Sequence, residues 1–153
     1  MAKFRLFKKI PFFSAEENKR IVEAIRRCEK TTSGEIRVFV ESRNPMVEPL
    51  DRAREIFFNL KMQDTDHRNA VLLYIAMKDN ELALFGDEGI YAATFEGYWD
   101  MAVKEMLGAF SKENITDGIV ACITKVGDTL KEKFPYEAST DKNELPDDIV
   151  FGK

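Results

Sequence analysis

Apolar residues recur at helical spacing in four stretches of the chain. The first stretch begins at a capping box formed by Ser14 and Glu17. The four apolar stripes are Ile21, Val22, Ile25 and Cys28; Leu50, Ala53, Phe57 and Leu60; Phe95, Trp99, Ala102, Val103, Met106 and Phe110; and Ile115, Ile119, Cys122, Val126 and Leu130. Because residues three and four apart share one face of a helix, these stripes predict four amphipathic helices.

Three other stretches have the patterns of β-strands. Residues 35–41 alternate between polar and apolar side chains and are rich in β-branched residues, which predicts a strand. Residues 70–77 are apolar throughout, as in a central strand that is covered on both faces. The link of residues 78–81 is so short that the apolar run 82–85 must return antiparallel to that strand as a hairpin.

The predicted order of elements is therefore α-β-α-β-β-α-α. A strand, a crossover helix and a second strand make a βαβ unit, in which the two strands are parallel. We predict an α/β fold, a three-layer α/β/α sandwich with a mixed sheet of about four strands and helices on both faces. The 153 residues fit one domain over residues 12–138, with a flexible basic arm before it (1–11) and an acidic tail (139–153) that packs on or near it.

Charge and hydropathy exclude several classes of protein. The formal net charge of −4 argues against nucleic-acid binding, which normally requires a basic face. No run is long and apolar enough to cross a bilayer, and residues 1–10 lack the apolar core of a secretory signal. We therefore expect a cytoplasmic monomer without membrane contact. The alternative is that the basic, aromatic residues 1–10 attach the protein to a membrane surface.

Carboxylates from four separate segments are expected to meet at one end of the sheet. The third strand runs against the second, so the motif Gly86-Asp87-Glu88-Gly89 at its end lies beside the beginnings of the first two strands. The next helix starts from the same edge. The acids placed there are Glu35, Asp64, Asp66, Asp87, Glu88 and Asp100.

Such a set of oxygen ligands favours a hard divalent cation as the cofactor, Ca²⁺ in the first place and Mg²⁺ as the alternative. Zinc is not expected, because one histidine and two separated cysteines offer no zinc motif. The alternative is that these carboxylates only keep a surface solvated. His67 is either a proton shuttle, a ligand or an exposed loop residue with no role.

Several catalytic motifs are absent from the sequence. There is no P-loop, no Gly-x-Ser-x-Gly and no dinucleotide fingerprint. Asp64-Thr65-Asp66 precedes a strand instead of following one, which excludes the usual aspartyl-phosphate arrangement. It is also not an EF-hand loop, because Arg68 stands where the third oxygen ligand is required. Cys28 and Cys122 fall on apolar helical positions, so they are predicted to be buried thiols.

The chain nevertheless resembles one known family, the TPM domain. The resemblance covers residues 12–148 and is carried by several motifs in the same order. They are Phe13-Ser14-Ala15-Glu16-Glu17, the run from Glu29 to Val38, Thr65-x-x-Arg68-Asn69-Ala70-Val71-Leu72, Phe85-Gly86-Asp87-Glu88-Gly89-Ile90, Trp99, Phe134-Pro135 and Asn143-Glu144-Leu145-Pro146-Asp147. The resemblance implies an α/β/α sandwich and, from some members, calcium binding by the acidic end of the sheet.

Two functions follow as hypotheses. The first is a calcium-stabilised binding or scaffold module, whose protein partner the sequence does not identify. The alternative, implied by family members described as acid phosphatases, is a metal-dependent phosphatase in which Arg68 contacts the phosphate. The sequence leaves the question of catalysis open, because no nucleophile or general base is evident in it.

Overall fold

A computed structural model describes residues 12–112, 114–137 and 148–152. Its elements are α1 (Ala15–Glu29), β1 (Glu35–Glu41), α2 (Pro49–Asn59), β2 (Ala70–Ala76), β3 (Glu81–Gly86), α3 (Glu88–Ala93), α4 (Tyr98–Lys112), α5 (Ile115–Lys133) and β4 (Val150–Phe151). The predicted arm, residues 1–11, and most of the acidic tail lie outside the described residues. Every described helix is too short or too polar to cross a lipid bilayer.

The four strands form a mixed sheet in the order β3-β2-β1-β4. β1 and β2 are parallel, with Glu35 opposite Ala70, and β2 and β3 are antiparallel, with Val71 opposite Gly86. These pairings confirm the predicted βαβ unit and hairpin. They also place the beginning of β1, the beginning of β2 and the end of β3 at one edge, which we call the N-terminal edge.

Each face of the sheet has its own hydrophobic core. Ile36, Val38 and Val40 of β1 point toward the helices α1, α3, α4 and α5, and Phe39 points toward α2. β2 is buried along its whole length, as its uniform apolar character predicts. The polar residues of β1 are buried as well, since Glu35, Arg37 and Glu41 are each less than a tenth exposed. α2 therefore covers a partly charged face.

The segment after Gly89 differs from the prediction. Asp87 begins a short additional helix, α3, which ends where Thr94 turns extended. Gly97 then adopts a left-handed φ of +86°, which favours glycine and separates α3 from α4. Phe95 consequently lies between the two helices and is 60% exposed, so its predicted place on an apolar helical face is wrong.

Candidate functional site

The loop between α2 and β2 forms one wall of the N-terminal edge. Met62 is fully buried against the α2 core, and its backbone N–H donates to the carbonyl of Phe57 at 3.1 Å. Lys61 and Arg68 adopt left-handed backbone conformations with φ of 56° and 51°. The buried methionine and these two turns fold the polar segment 61–69 tightly before β2 begins.

The glycines of the Gly-Asp-x-Gly motif allow two close approaches. A side chain at Gly86 would stand 2.4 Å from the ring of Trp99. At Gly89, a Cβ would stand 2.1 Å from the carbonyl oxygen of His67, and the Gly89 N–H donates to the carbonyl of Arg68 at 2.8 Å. The glycines therefore seat the turn against α4 on one side and against the loop on the other.

Asp87 and Arg68 form a two-pronged ion pair at the β3 side of this edge. Arg68 Nε donates to Asp87 Oδ2 at 2.6 Å and Nη2 donates to Oδ1 at 2.8 Å. Asp87 is only 2% exposed, and its Oδ1 also accepts the N–H of Glu88 as the cap of α3. Arg68 Nη1 reaches the Glu88 carboxylate at 3.1 Å. These hydrogen bonds and charges, above all those of Asp87, raise the pKa of Arg68.

The other predicted acids surround this pair less tightly. Glu35 lies at the same edge and is buried, whereas Asp64, Asp66 and Asp100 are exposed. Asp64 lies near enough to Arg68 to contribute to its raised pKa. Throughout the described ranges, no three His, Cys, Asp or Glu side chains are grouped so that they could hold a metal ion. Cation binding by these six acids stays a prediction.

Three neutral oxygens of the same loop were not singled out by the sequence as candidate ligands. Gln63 Oε1, Thr65 Oγ1 and Asn69 Oδ1 are buried, and each lacks a hydrogen-bond partner among the described residues. Asn69 is fully buried and donates through Nδ2 to Ser33 Oγ at 3.2 Å. Buried polar atoms are normally satisfied, by protein, water or an ion. The only signal in the sequence was the Thr65-x-x-Arg68-Asn69 motif.

His67 and the two cysteines show no arrangement typical of a catalytic nucleophile or base. His67 is exposed, and its ring lies 6.0 Å from that of Phe134. Burial raises the pKa of the Cys28 thiol, and it raises that of Cys122 to about 12. Both cysteines are free thiols; Cys122 is buried as predicted, whereas Cys28 is only partly buried. Thiols with a raised pKa are mostly neutral at pH 7 and are therefore weak nucleophiles.

The opposite end of the sheet holds a second ion pair that sequence reasoning missed. Arg52 of α2 donates through Nε and Nη2 to the two carboxylate oxygens of Glu41, both at 2.9 Å. The hydroxyl of Tyr74 donates to Glu41 Oε2 at 2.5 Å. Burial raises the pKa of Glu41, but these hydrogen bonds outweigh that effect, so its pKa lies below the ordinary value.

The fold and this edge together define an α/β/α domain in which a Gly-Asp-x-Gly turn packs against an arginine-bearing loop. The profile of the TPM domain matches residues 9–129, and the chain belongs to this family. The predicted membership is thereby confirmed.

Solved structures agree with this assignment. The NMR structure of the BA42 protein from the psychrophilic bacterium Bizionia argentinensis is 40% identical, covers 95% of this chain and 99% of its own, and has a TM-score of 0.86. The N-terminal domain of cg2496 from Corynebacterium glutamicum shares the fold at 17% identity, with a TM-score of 0.62 over 78% of this chain and 74% of that one. None of the curated proteins matches the sequence.

Proposed function

We propose that this TPM domain is a binding module that a divalent cation, Ca²⁺ in the first place, stabilises at the N-terminal edge. The observation that supports it is that three buried oxygens of one loop, Gln63 Oε1, Thr65 Oγ1 and Asn69 Oδ1, have no partner in the described chain. These atoms lie on the loop whose Arg68 grips the buried Asp87. Carboxylate, amide and hydroxyl oxygens are the ligands that Ca²⁺ prefers.

The donor set fits a hard cation better than a soft one. Asp87 would supply the buried charge, and Thr65 and Asn69 would supply neutral oxygens. The exposed Asp64 and Asp66 add negative charge at the rim, which attracts cations from solution. When bound, the ion would supply positive charge that joins the loop to the beginning of α3. Glu35, Glu88 and Asp100 are the further predicted ligands.

Thermal unfolding with increasing Ca²⁺ tests the proposal. Binding to the folded state alone raises the Tm by mass action, and the gain grows with the logarithm of the cation concentration. We expect Asp87→Asn to abolish the gain. The matched control is Asp128→Asn, an exposed carboxylate on α5, which should keep it. Amide NMR shifts during the titration should move together around residues 63–69 and 86–89.

The proposal is overturned if Ca²⁺ and Mg²⁺ at millimolar concentrations leave both the Tm and these NMR shifts unchanged. Asp87→Asn also disturbs the ion pair with Arg68, so Thr65→Val serves as a second variant. That substitution removes one proposed oxygen and leaves the ion pair intact. If Thr65→Val and Asp128→Asn behave identically in the titration, Thr65 is not a ligand and the neutral-oxygen site is wrong.

A metal-dependent phosphatase is the second candidate. It is favoured by one observation, the partly exposed Arg68 guanidinium beside carboxylates, which is a group that can grip a phosphate with two hydrogen bonds. The test is hydrolysis of p-nitrophenyl phosphate by the cation-loaded protein. Turnover that disappears in Asp87→Ala would support an enzyme. If the wild-type protein hydrolyses the substrate no faster than the Asp87→Ala variant, the phosphatase hypothesis is wrong and only the binding module remains.

A further inference from the structure

We infer that Arg68 is a built-in competitor for the cation, an internal counter-ion that must leave Asp87 before a divalent ion can bind there. This inference rests on the proposed function. It goes further in naming one residue that sets the affinity of the site. It also makes cation binding and the release of an arginine side chain a single coupled event.

The geometry leaves little room for a second cation at Asp87. One prong of Arg68 binds each carboxylate oxygen, at 2.6 and 2.8 Å, and the Glu88 N–H takes a further position on Oδ1 at 2.8 Å. A carboxylate has about four lone-pair positions, so three are in use. The guanidinium also neutralises the charge that would attract an ion, and like charges at this distance repel.

The Arg68 side chain is placed so that it can move. It is 35% exposed, while Asp87 is almost completely buried. Two further anions stand within reach of its charge, Glu88 at 3.1 Å and Asp64 through space. A displaced guanidinium would therefore remain close to negative charge and would gain water. The cost of releasing it is correspondingly small compared with releasing a buried arginine.

The backbone of Arg68, in contrast, is fixed. Its carbonyl oxygen accepts the N–H groups of Gly89 at 2.8 Å and Ile90 at 3.3 Å. The absent side chain of Gly89 permits this contact. The loop and the α3 turn thus keep their relative position when the side chain swings away. Thr65 and Asn69, with their unpartnered oxygens, would stay in place to receive the ion.

Competition predicts that removing the charge of Arg68 tightens cation binding. The apparent affinity of the wild-type chain is reduced by the fraction of molecules in which Arg68 is off Asp87. We expect Arg68→Gln to lower the Kd for Ca²⁺, measured by calorimetry, by about tenfold. This factor corresponds to a wild-type chain in which Arg68 is off Asp87 in roughly one molecule in ten. Arg43→Gln is the matched control, because Arg43 pairs with Asp79 outside this site, and its Kd should equal that of wild type.

A direct readout does not depend on any substitution at the site. The Arg68 Nε–Hε group is held by Asp87 at 2.6 Å, so its ¹⁵N–¹H resonance should be distinct in the cation-free protein. Added Ca²⁺ should move it toward the position of a solvated arginine as the ion binds.

Arg68→Lys keeps the charge but loses the two-pronged grip, and its Kd should fall between those of wild type and Arg68→Gln.

Four outcomes separate this inference from the proposed function. If wild type binds Ca²⁺ and Arg68→Gln binds it equally or more weakly, Arg68 supports the site and the competition is wrong, while the cation module stands. If wild type binds but the Nε–Hε resonance stays in place, the competition is equally wrong. If neither wild type nor Arg68→Gln binds, the proposed function itself falls. If Arg68→Gln alone binds, competition is strongly supported.

Discussion

The two ends of the sheet hold the same kind of arginine–carboxylate ion pair in different surroundings. At each end an arginine grips a nearly buried carboxylate with two hydrogen bonds, Arg68 on Asp87 and Arg52 on Glu41. The third donor to the carboxylate is the Tyr74 hydroxyl at the Glu41 end and the Glu88 N–H at the Asp87 end. The remaining arm of each arginine pairs with an exposed glutamate, Glu55 or Glu88. Arg52 is 20% exposed, against 35% for Arg68.

The difference lies in what remains unsatisfied. At the Glu41 end, both carboxylate oxygens accept hydrogen bonds from Arg52, and one also accepts from Tyr74. These bonds form a closed network between β1, β2 and α2. On the loop that carries Arg68, Thr65 and Asn69 have buried oxygens that no described residue satisfies. We infer from this contrast that the Arg52–Glu41 pair stabilises the fold, whereas the Arg68–Asp87 pair can exchange the arginine for a cation. Similar ion pairs must be judged by their neighbours rather than by their own distances.

The largest effect is expected at the closed network. Glu41→Gln removes the buried counter-ion of Arg52 and leaves it only the exposed Glu55 carboxylate, which should cost about 3–5 kcal/mol of unfolding free energy. Urea denaturation measures this. Glu55→Gln, at an exposed carboxylate on the same arginine, should cost less than about 1 kcal/mol. Equal losses in the two variants would contradict a closed network centred on Glu41.

Gly89→Ala tests whether the backbone at the N-terminal edge is rigid. Its Cβ would meet the His67 carbonyl oxygen, so the loop or α3 must shift, at a cost of about 1–3 kcal/mol. Gly108→Ala is the control, because a Cβ there meets nothing within 4 Å and alanine favours the α4 helix. A Gly89→Ala protein as stable as Gly108→Ala would show that the loop is soft.

Acid should lower the unfolding free energy by protonating the Glu41 carboxylate, and Glu41→Gln should remove this part of the pH dependence. The folded-state pKa of Glu41 is depressed, so its contribution is fully present above the unfolded value of about 4.3 and is lost as pH falls through the lower folded value. Unfolding free energies measured below about pH 4.3 should therefore converge for wild type and Glu41→Gln. Parallel curves over that range would show that Glu41 does not titrate with unfolding.

The smallest effect is expected from Thr65→Val without added cation. Its hydroxyl has no partner within the described chain, so its loss should change stability by about 0.5 kcal/mol or less. Thr32→Val provides the contrast, since Thr32 Oγ1 accepts the Gly34 N–H at 3.0 Å and donates to the Phe134 carbonyl. Its loss should cost about 1–3 kcal/mol by chemical denaturation. A Thr65→Val loss of similar size would mean that Thr65 is already satisfied.

Periodicity predicted the sheet because it reports burial on known faces. The continuous apolar run of β2 and the four-residue link to β3 were sufficient for a covered central strand and an antiparallel neighbour. The same reasoning missed α3, because its six residues are too few for a helical stripe to stand out. It predicted about four strands but did not place the fourth, β4, which is two residues long and pairs with β1.

The sequence by itself determined the family, the layers and the directions of β1, β2 and β3, and therefore that Glu35, the Asp64 loop and Asp87 share one edge. Only the tertiary structure decided which charges pair. Arg68 and Asp87 are nineteen residues apart, and Arg52 reaches Glu41 from another element. Strand direction follows from local pattern and link length, whereas a salt bridge depends on distances of a few ångströms that packing sets.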